Sequence, residues 1–261
     1  KVEGRYRYNK LEREGGTEVA ETTTKTFRVK ALWRPNNRWR ISGSHSFVDR
    51  DDPYGRTLRN SFSRLDDVLL TPHGTEQDVT RLMIMHNLSD QSSFNASYHR
   101  THTEGDLQNL EATLWNISMG LTHAFEDGYG VFRNYYYYNN DFEKDVYLGV
   151  LAPYLTITPL PYEGEGNTFT VGAWATVNKI NLNSHYSYTT SKSSFDDSAL
   201  GDVARNGTDV TINRFAISGG MPLSEMLEVN AGYYLDDYSD ELQPQDDGKV
   251  QWFFAWLGYK F

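Results

Sequence analysis

Five cationic side chains lie close together in one short stretch of the chain: Arg28, Lys30, Arg34, Arg38 and Arg40. Arg28 and Lys30 alternate with apolar neighbours, as do Arg38 and Arg40, so each pair shares one face of an extended strand. A row of such cations in the wall of a water-filled pore would favour anions. Alternatively, these cations pair with carboxylates and only hold the wall in shape. The predicted wall residues are Arg28, Lys30, Arg38, Arg40, Glu111, Glu228 and Asp236.

Other residue patterns that could carry chemistry are weak. Acidic pairs such as Asp196–Asp197 do not match the ligand spacing of a calcium loop, and they suit solvated loops better. His99 and His102 fall on opposite faces of an extended strand, which disfavours a shared metal. No Gly-x-Ser-x-Gly segment occurs, and Ser44–His45 places its two side chains on opposite faces. We therefore expect no metal, no cofactor and no enzymatic activity.

The composition excludes several classes of protein. The 261 residues carry a formal net charge of −10 and include no cysteine, which removes disulfides and thiolate metal sites. No Lys/Arg-rich run occurs, so nucleic acid is not an expected partner. Hydrophobic residues make up only 38% of the chain while aromatic residues reach 14%. That combination suits a sheet with one face toward lipid and the other toward water.

Period-two alternation of apolar and polar residues recurs along the whole chain and predicts β-strands. In one such run Trp115, Ile117 and Met119 alternate with Asn116 and Ser118. We predict about twelve strands, with thirteen or fourteen if 57–65 and 146–158 are also strands. The twelve lie near 2–10, 22–34, 38–49, 77–88, 92–104, 107–125, 129–139, 166–177, 180–191, 208–221, 226–238 and 249–261.

The connections between these predicted strands alternate in length. Those after the even-numbered strands are short, whereas most of the others, such as 50–76 and 140–165, are long and polar. Short turns on one side and long loops on the other are typical of bacterial outer-membrane barrels. The predicted fold is thus an all-β, transmembrane, antiparallel up-and-down β-barrel formed by one domain, 1–261. We expect an outer-membrane location with both chain termini on the periplasmic side, and 140–165 either inside or outside the lumen.

Aromatic residues flank the predicted short turns. Trp33, Trp39, Phe125 and Tyr129 lie beside the turns after the second and sixth strands. Amphipathic rings at this position are expected at the depth of the lipid headgroups. We therefore predict that these four residues belong to a periplasmic aromatic girdle.

The final strand, Lys249-Val-Gln-Trp-Phe-Phe-Ala-Trp-Leu-Gly-Tyr-Lys-Phe261, alternates and stops on an aromatic residue. It resembles the terminal strand of bacterial outer-membrane barrels of the porin type. The resemblance implies an assembly signal formed by Phe253, Leu257, Tyr259 and Phe261. It also implies a lipid bilayer with lipopolysaccharide as the environment and the barrel-assembly machinery as a partner.

A second resemblance concerns two hairpins. Trp33-Arg-Pro-Asn-Asn-Arg-Trp-Arg, followed by Ser46-Phe-Val-Asp-Arg-Asp-Asp-Pro, is similar to hairpins in the porin component of porin–cytochrome electron conduits (the MtrB/PioB type). The resemblance implies a multihaem cytochrome as a partner. Porins of that family are much longer, so the chain would be a small relative or the C-terminal part of a longer barrel.

Two functions follow from these patterns. The first is a channel that passes small hydrophilic solutes, with a preference for anions if the cations stay unpaired. The second is a structural barrel that sheathes or docks a partner, such as a multihaem cytochrome for transmembrane electron transfer. Ion current through the isolated protein would support the first, and copurification with haem would support the second.

Overall fold

The computed structural model of the chain describes residues 1–15, 18–52, 73–105, 110–125, 128–148, 156–195, 207–242 and 247–259. These residues form twelve β-strands in one sheet, whose order in space follows their order in the sequence. Every neighbouring pair is antiparallel, so the sheet is an up-and-down meander. No helix in the described part of the chain is long and apolar enough to cross a membrane.

Several strands are longer than predicted and extend into segments that were expected to be loops. Their bounds are β1 Val2–Gly15, β2 Glu18–Trp33, β3 Trp39–Asp52, β4 His73–Asn87, β5 Ser92–Gly105, β6 Leu110–Ala124, β7 Tyr129–Leu148, β8 Thr156–Val177, β9 Ile180–Phe195, β10 Gly207–Pro222, β11 Leu227–Asp240 and β12 Gly248–Tyr259. The prediction of an all-β, antiparallel, up-and-down fold with twelve strands is confirmed.

The register separates the sheet into two chemically distinct faces. Phe27 lies opposite Tyr6 on one side and Phe47 on the other, so these residues share a face. The neighbouring residue Arg28 lies opposite Arg5 and Ser46 on the other face. We call the first the apolar face and the second the polar face. Alternation along each strand keeps this division across all twelve strands.

The sheet has no packed interior in the described part of the chain. Val210 and Ala216 are the only hydrophobic residues there that count as buried, and large side chains such as Leu257 stay 63% exposed. A soluble β-sandwich would bury one face of each of two sheets against the other. A single sheet with an exposed apolar face instead fits a wall between lipid and water.

All connections at one end of the sheet are short, and we call it the turn end; connections at the opposite end, the loop end, vary in length, from two residues between β1 and β2 to 20 between β3 and β4. The connections at the turn end follow β2, β4, β6, β8 and β10, as predicted. Between β8 and β9, Val177 pairs with Ile180 across a two-residue turn in which Asn178 has φ 58°. Asparagine tolerates this left-handed conformation, which two-residue hairpin turns require.

The prediction of a long loop over 140–165 is wrong. β7 and β8 continue through most of this segment, and Leu148 pairs with Thr156. Pro159 and Pro161 lie within β8 and pair only with β7, since the β8–β9 ladder begins at Tyr162. A proline is tolerated where one side of its strand has no ladder to join. The alternative extra strand at 57–65 lies outside the described residues.

The two outermost strands each have one neighbour among the described residues. β1 pairs with β2, and β12 pairs with β11, and the described ladders contain no pairing between β1 and β12. Their side chains are correspondingly open: Val2 is 74% and Phe253 is 79% exposed. Both edges therefore present backbone hydrogen-bonding groups to a neighbour.

Candidate functional site

The polar face of β1–β5 is strongly basic. The register places Arg28 and Lys30 of β2 and Arg40 of β3 on this face, as the alternation predicted. Arg38 precedes β3 in the turn, where its backbone N–H donates to Asn36 Oδ1 at 2.9 Å. Arg38 thus lies at the rim of the sheet at the turn end.

The three predicted carboxylates do not meet these cations. Glu111 of β6 lies opposite Glu104 of β5 on the apolar face, toward the loop end, so the prediction that it is a wall residue on the polar face is wrong. The register explains this difference. Following the pairing from strand to strand, Arg28 aligns with Leu114, so the even-numbered residues of β6 lie on the polar face and Glu111 lies on the other. Glu228 and Asp236 lie on the polar face, but on β11, far across the sheet.

Asp236 has a partner that the sequence analysis did not identify. Arg214 of β10 lies directly opposite, and its Nε and Nη2 donate to the two carboxylate oxygens, each at 2.7 Å. Glu228 accepts a hydrogen bond from Asn230 Nδ2 at 3.0 Å. Cross-strand pairing depends on register, which alternation within single strands does not fix.

Charge on the polar face is therefore unbalanced from one side to the other. On β1–β5, where side chains are described, Glu3 is the one carboxylate on this face. The cations on the same strands and face are Arg5, Arg7, Arg28, Lys30, Arg40, Arg50 and Arg81. β6–β9 present neutral side chains there, mainly Ser, Thr, Asn and Tyr. The arrangement creates a positive potential over one part of the wall.

A cavity of about 480 Å³ lies within this basic region. Lys30 of β2, Ser44 of β3, Arg81 of β4 and His99 of β5 are among the residues that line it. These four residues occupy one transverse row, since each lies opposite the next in the register. The cavity thus combines two cations with short hydroxyl side chains and with apolar residues such as Met83.

The opposite side of the polar face is aromatic. Tyr234 of β11 stacks on Trp252 of β12 with ring centroids 4.5 Å apart, and Phe254 lies 5.6 Å from Tyr234. A second cavity, of about 450 Å³, is lined by Trp174, Phe254 and Trp256 together with amide side chains. β12 is aromatic on both faces, since Trp252, Phe254 and Trp256 lie on the polar face while Phe253 and Tyr259 lie on the apolar face.

The four predicted girdle residues all lie at the turn end. Trp33 ends β2 and is 61% exposed, while Trp39 begins β3 and stacks on the ring of His86. Phe125 follows β6 and stacks on Tyr129 with centroids 4.8 Å apart. Their depth in a membrane stays a prediction.

The loop end of the apolar face is charged and lies beyond the apolar band. Lys25 bonds Asp49 at 3.0 Å and Lys192 bonds Asp209 at 2.7 Å, both across neighbouring strands. The hydrogen bond to Asp209 raises the pKa of Lys192, although this side chain is fully exposed to solvent. Exposed pairs of this kind contribute little stability.

Several histidines contact hydroxyl groups, and two of them also contact a carboxylate: His45 Nε2 lies 3.4 Å from Asp78 Oδ1, and His102 Nε2 lies 2.9 Å from Glu104 Oε1. Ser92 Oγ and His123 Nδ1 are 2.7 Å apart, a contact between residues far apart in sequence that alternation did not predict. His123 also packs edge-on against Phe125, and no carboxylate in the described part of the chain contacts it. An activated serine needs a third group that orients the base. Among the described residues, no three His, Asp or Glu side chains are grouped for a metal.

The predicted assembly residues follow the register of β12. Phe253, Leu257 and Tyr259 lie opposite Tyr233, Val229 and Leu227 on the apolar face. Phe261 lies outside the described residues. Their role in assembly stays a prediction.

Comparison with known proteins shows which fold class the sheet belongs to. No protein-family model matches the chain, and no curated protein sequence matches it either. The siderophore receptor PirA from Acinetobacter baumannii superimposes with a TM-score of 0.65 and 10% identity, over 99% of this chain and 41% of that one. The open form of the ferric-catecholate import receptor Fiu from E. coli K12 gives a TM-score of 0.63 and 10% identity, over 99% and 58%.

A third neighbour is BauA, the ferric preacinetobactin receptor from Acinetobacter baumannii, with a TM-score of 0.62 and 7% identity. It is matched over 90% of this chain and 42% of its own. This chain therefore spans between about two fifths and three fifths of the length of these receptors. The likeness confirms that the sheet has the fold of an outer-membrane β-barrel.

Proposed function

We propose that this chain forms part of an outer-membrane barrel that transports small anionic solutes across the bacterial outer membrane. In such barrels the apolar face contacts lipid and the polar face lines the lumen. The observation that carries the proposal is the cation excess on the polar face of β1–β5. Cations lining a pore attract anions and disfavour other cations.

The unpaired state of Arg28, Lys30 and Arg40 supports selectivity over a purely structural role. Arg28, Lys30 and Arg40 form no ion pair with another described residue, whereas Arg214 does. Arg5 and Arg28 even lie directly opposite each other. Like charges in this position destabilise a sheet, so a structural role alone gives no reason to keep them.

We further propose that the complete barrel contains strands in addition to these twelve. An open sheet edge inside a membrane leaves backbone groups without hydrogen bonds, which costs several kcal/mol for each group. β1 and β12 present such edges. The receptors that superimpose on this sheet are longer, since the chain covers only 41% and 58% of two of them, and this supports closure by further strands.

The mass of the native polypeptide tests this closure. The sequence accounts for 30.0 kDa, so intact-mass spectrometry of the protein from native outer membranes should give a considerably larger value. A native polypeptide of 30.0 kDa would contradict closure by additional strands of the same chain.

Planar-bilayer recording of the purified full-length protein tests the transport of anions. Under a potassium chloride gradient, the reversal potential should show a preference for chloride. Lys30→Glu should shift that potential toward potassium, because it reverses one charge in the basic region. Lys179→Glu, in the turn between β8 and β9, is the matched control and should leave the potential unchanged. A preference for potassium in the unaltered protein would contradict the proposal.

A gated import receptor would transport solute without carrying a steady ionic current, and bilayer recording would not detect it. Solute uptake is therefore the second measurement. Proteoliposomes should accumulate labelled succinate faster than labelled succinamide, its uncharged analogue. Equal rates for the two solutes would exclude anion transport in either form.

A further inference from the structure

We propose that the cavity between β2 and β6 binds a small organic anion carrying two carboxylate groups. The inference rests on the proposed function in one respect: it takes the polar face as the wall of the lumen. Lys30, Ser42, Ser44, Arg81, Ser97 and His99 line the cavity on this face.

The spacing of the two cations suits a ligand with two separated charges. Lys30 and Arg81 both align with Ser44, on either side of it in the same transverse row. Neighbouring strands are about 4.8 Å apart, so the two backbones are about 10 Å apart. Their long side chains can both reach over the short Ser44 side chain, and each can meet one carboxylate of a ligand.

The floor of the cavity offers neutral hydrogen-bond donors. Ser42 and Ser44 are half-buried between the two cations, and Ser97 shares a hydrogen bond of 2.7 Å with Ser118. Hydroxyl groups can donate to carboxylate oxygens that the cations leave free. His99 lies beyond Arg81 in the same row, with Nε2 3.3 Å from Thr101 Oγ1.

No carboxylate of the described chain lines this cavity. Lys30 and Arg81 are exposed, and neither forms an ion pair with another described residue. Glu3 lies opposite Lys30, but at the outer edge of the sheet, where its carboxylate pairs with the Lys1 ammonium. The cavity therefore holds a net positive charge that an anionic ligand can balance.

The size of the cavity restricts the ligand to a small molecule. A volume of about 480 Å³ falls in the usual range for small-molecule sites, about 300–1,000 Å³. Guanidinium and ammonium groups bind carboxylates through strong charge-assisted hydrogen bonds. A short dicarboxylate can satisfy both cations at once, whereas a monocarboxylate leaves one of them unmatched.

Isothermal titration calorimetry of the detergent-solubilised full-length protein tests the site, with succinate as the probe. Succinate should bind measurably, and binding should weaken as salt rises from low to high concentration. Succinamide, which has the same length but no charge, should bind at least tenfold more weakly. Equal binding of the two would overturn the proposal.

Two variants locate the binding. Arg81→Gln should weaken succinate binding about tenfold, because one charge-assisted interaction is lost. Ser44→Asp should abolish binding, since the new carboxylate would pair with Lys30 and Arg81 in place of the ligand. Arg214→Gln is the control, because Arg214 lies on the polar face but is already paired with Asp236. Unchanged affinity in both test variants would overturn the site.

The outcomes separate this proposal from the proposed function. If the protein conducts anions selectively but does not bind succinate, the proposal of anion transport stands and the proposal of a dicarboxylate site is rejected. Succinate binding that Arg81→Gln removes, in a protein with no anion preference in bilayers or uptake, would retain the site and reject transport.

Discussion

Replacing Ala231 by Arg on the apolar face should destabilise the protein by about 2–4 kcal/mol, the usual cost of an arginine facing lipid near the midplane. The apolar residues of β11 on this face run from Leu227 to Leu235, and Ala231 is central among them. Eight residue steps of about 3.4 Å, on a strand tilted by about 45°, span roughly 19 Å of membrane. Ala231 then lies about 10 Å from either end of the band by the same geometry.

Steric overlap contributes little at this position. Ala231 is exposed and lies opposite Gly219 and Ala255, so its two cross-strand neighbours are small. The expected cost therefore comes from lipid contact, and Ala231→Leu should be tolerated. Val229→Arg should cost less, about 1 kcal/mol, because Val229 lies nearer the turn end of the band.

Urea unfolding of the full-length protein in phospholipid vesicles, followed by tryptophan fluorescence, measures these differences. Asn230→Arg is the control on the polar face, where it can pair with Glu228, and it should change stability by less than about 1 kcal/mol. Equal losses for Ala231→Arg and Asn230→Arg would refute the assignment of the two faces. Equal losses for Ala231→Arg and Val229→Arg would refute the depth of the band.

Three further outcomes are expected. A double-mutant cycle on Arg214→Met and Asp236→Leu should give a coupling of about 1 kcal/mol, modest because Arg214 is 44% exposed; zero coupling would mean that the pair has no effect on stability. Gly130→Ala should cost about 1–3 kcal/mol, since a Cβ there overlaps the Trp174 ring, whereas Gly4→Ala, with nothing within 4 Å, should cost far less; similar losses would contradict this packing. Protein purified from native membranes in mild detergent should show no haem absorbance if it is a transporter; a haem protein at fixed ratio would favour the cytochrome sheath.

The sequence by itself determined the architecture. Alternation of apolar and polar residues has a period of two, and a strand converts that period directly into two faces. The strand count, the short turns and the faces of Arg28, Lys30 and Arg40 could therefore be read from local patterns. Phe253 and Leu257 lie on one face for the same reason.

Register and pairing were decided only in the folded sheet. The prediction for Glu111 gave the wrong face. The pairing between neighbouring strands decides which of their residues share a face, and the sequence of a single strand does not contain that information. Arg214 and Asp236 likewise lie close together only because β10 pairs with β11 in this register. Prolines that argue against a strand were tolerated in β8, because β9 ends before it reaches them.

The cavity lined by Lys30 and Arg81 is the clearest product of tertiary structure. Lys30 was identified from its neighbours in sequence, but Arg81 lies on a different hairpin and carried no local signal. The two side chains face one cavity because β3 lies between β2 and β4 and is hydrogen-bonded to both, which brings Lys30 and Arg81 into one row. Alternation fixes which way a side chain points, whereas only the register fixes which distant side chain it meets.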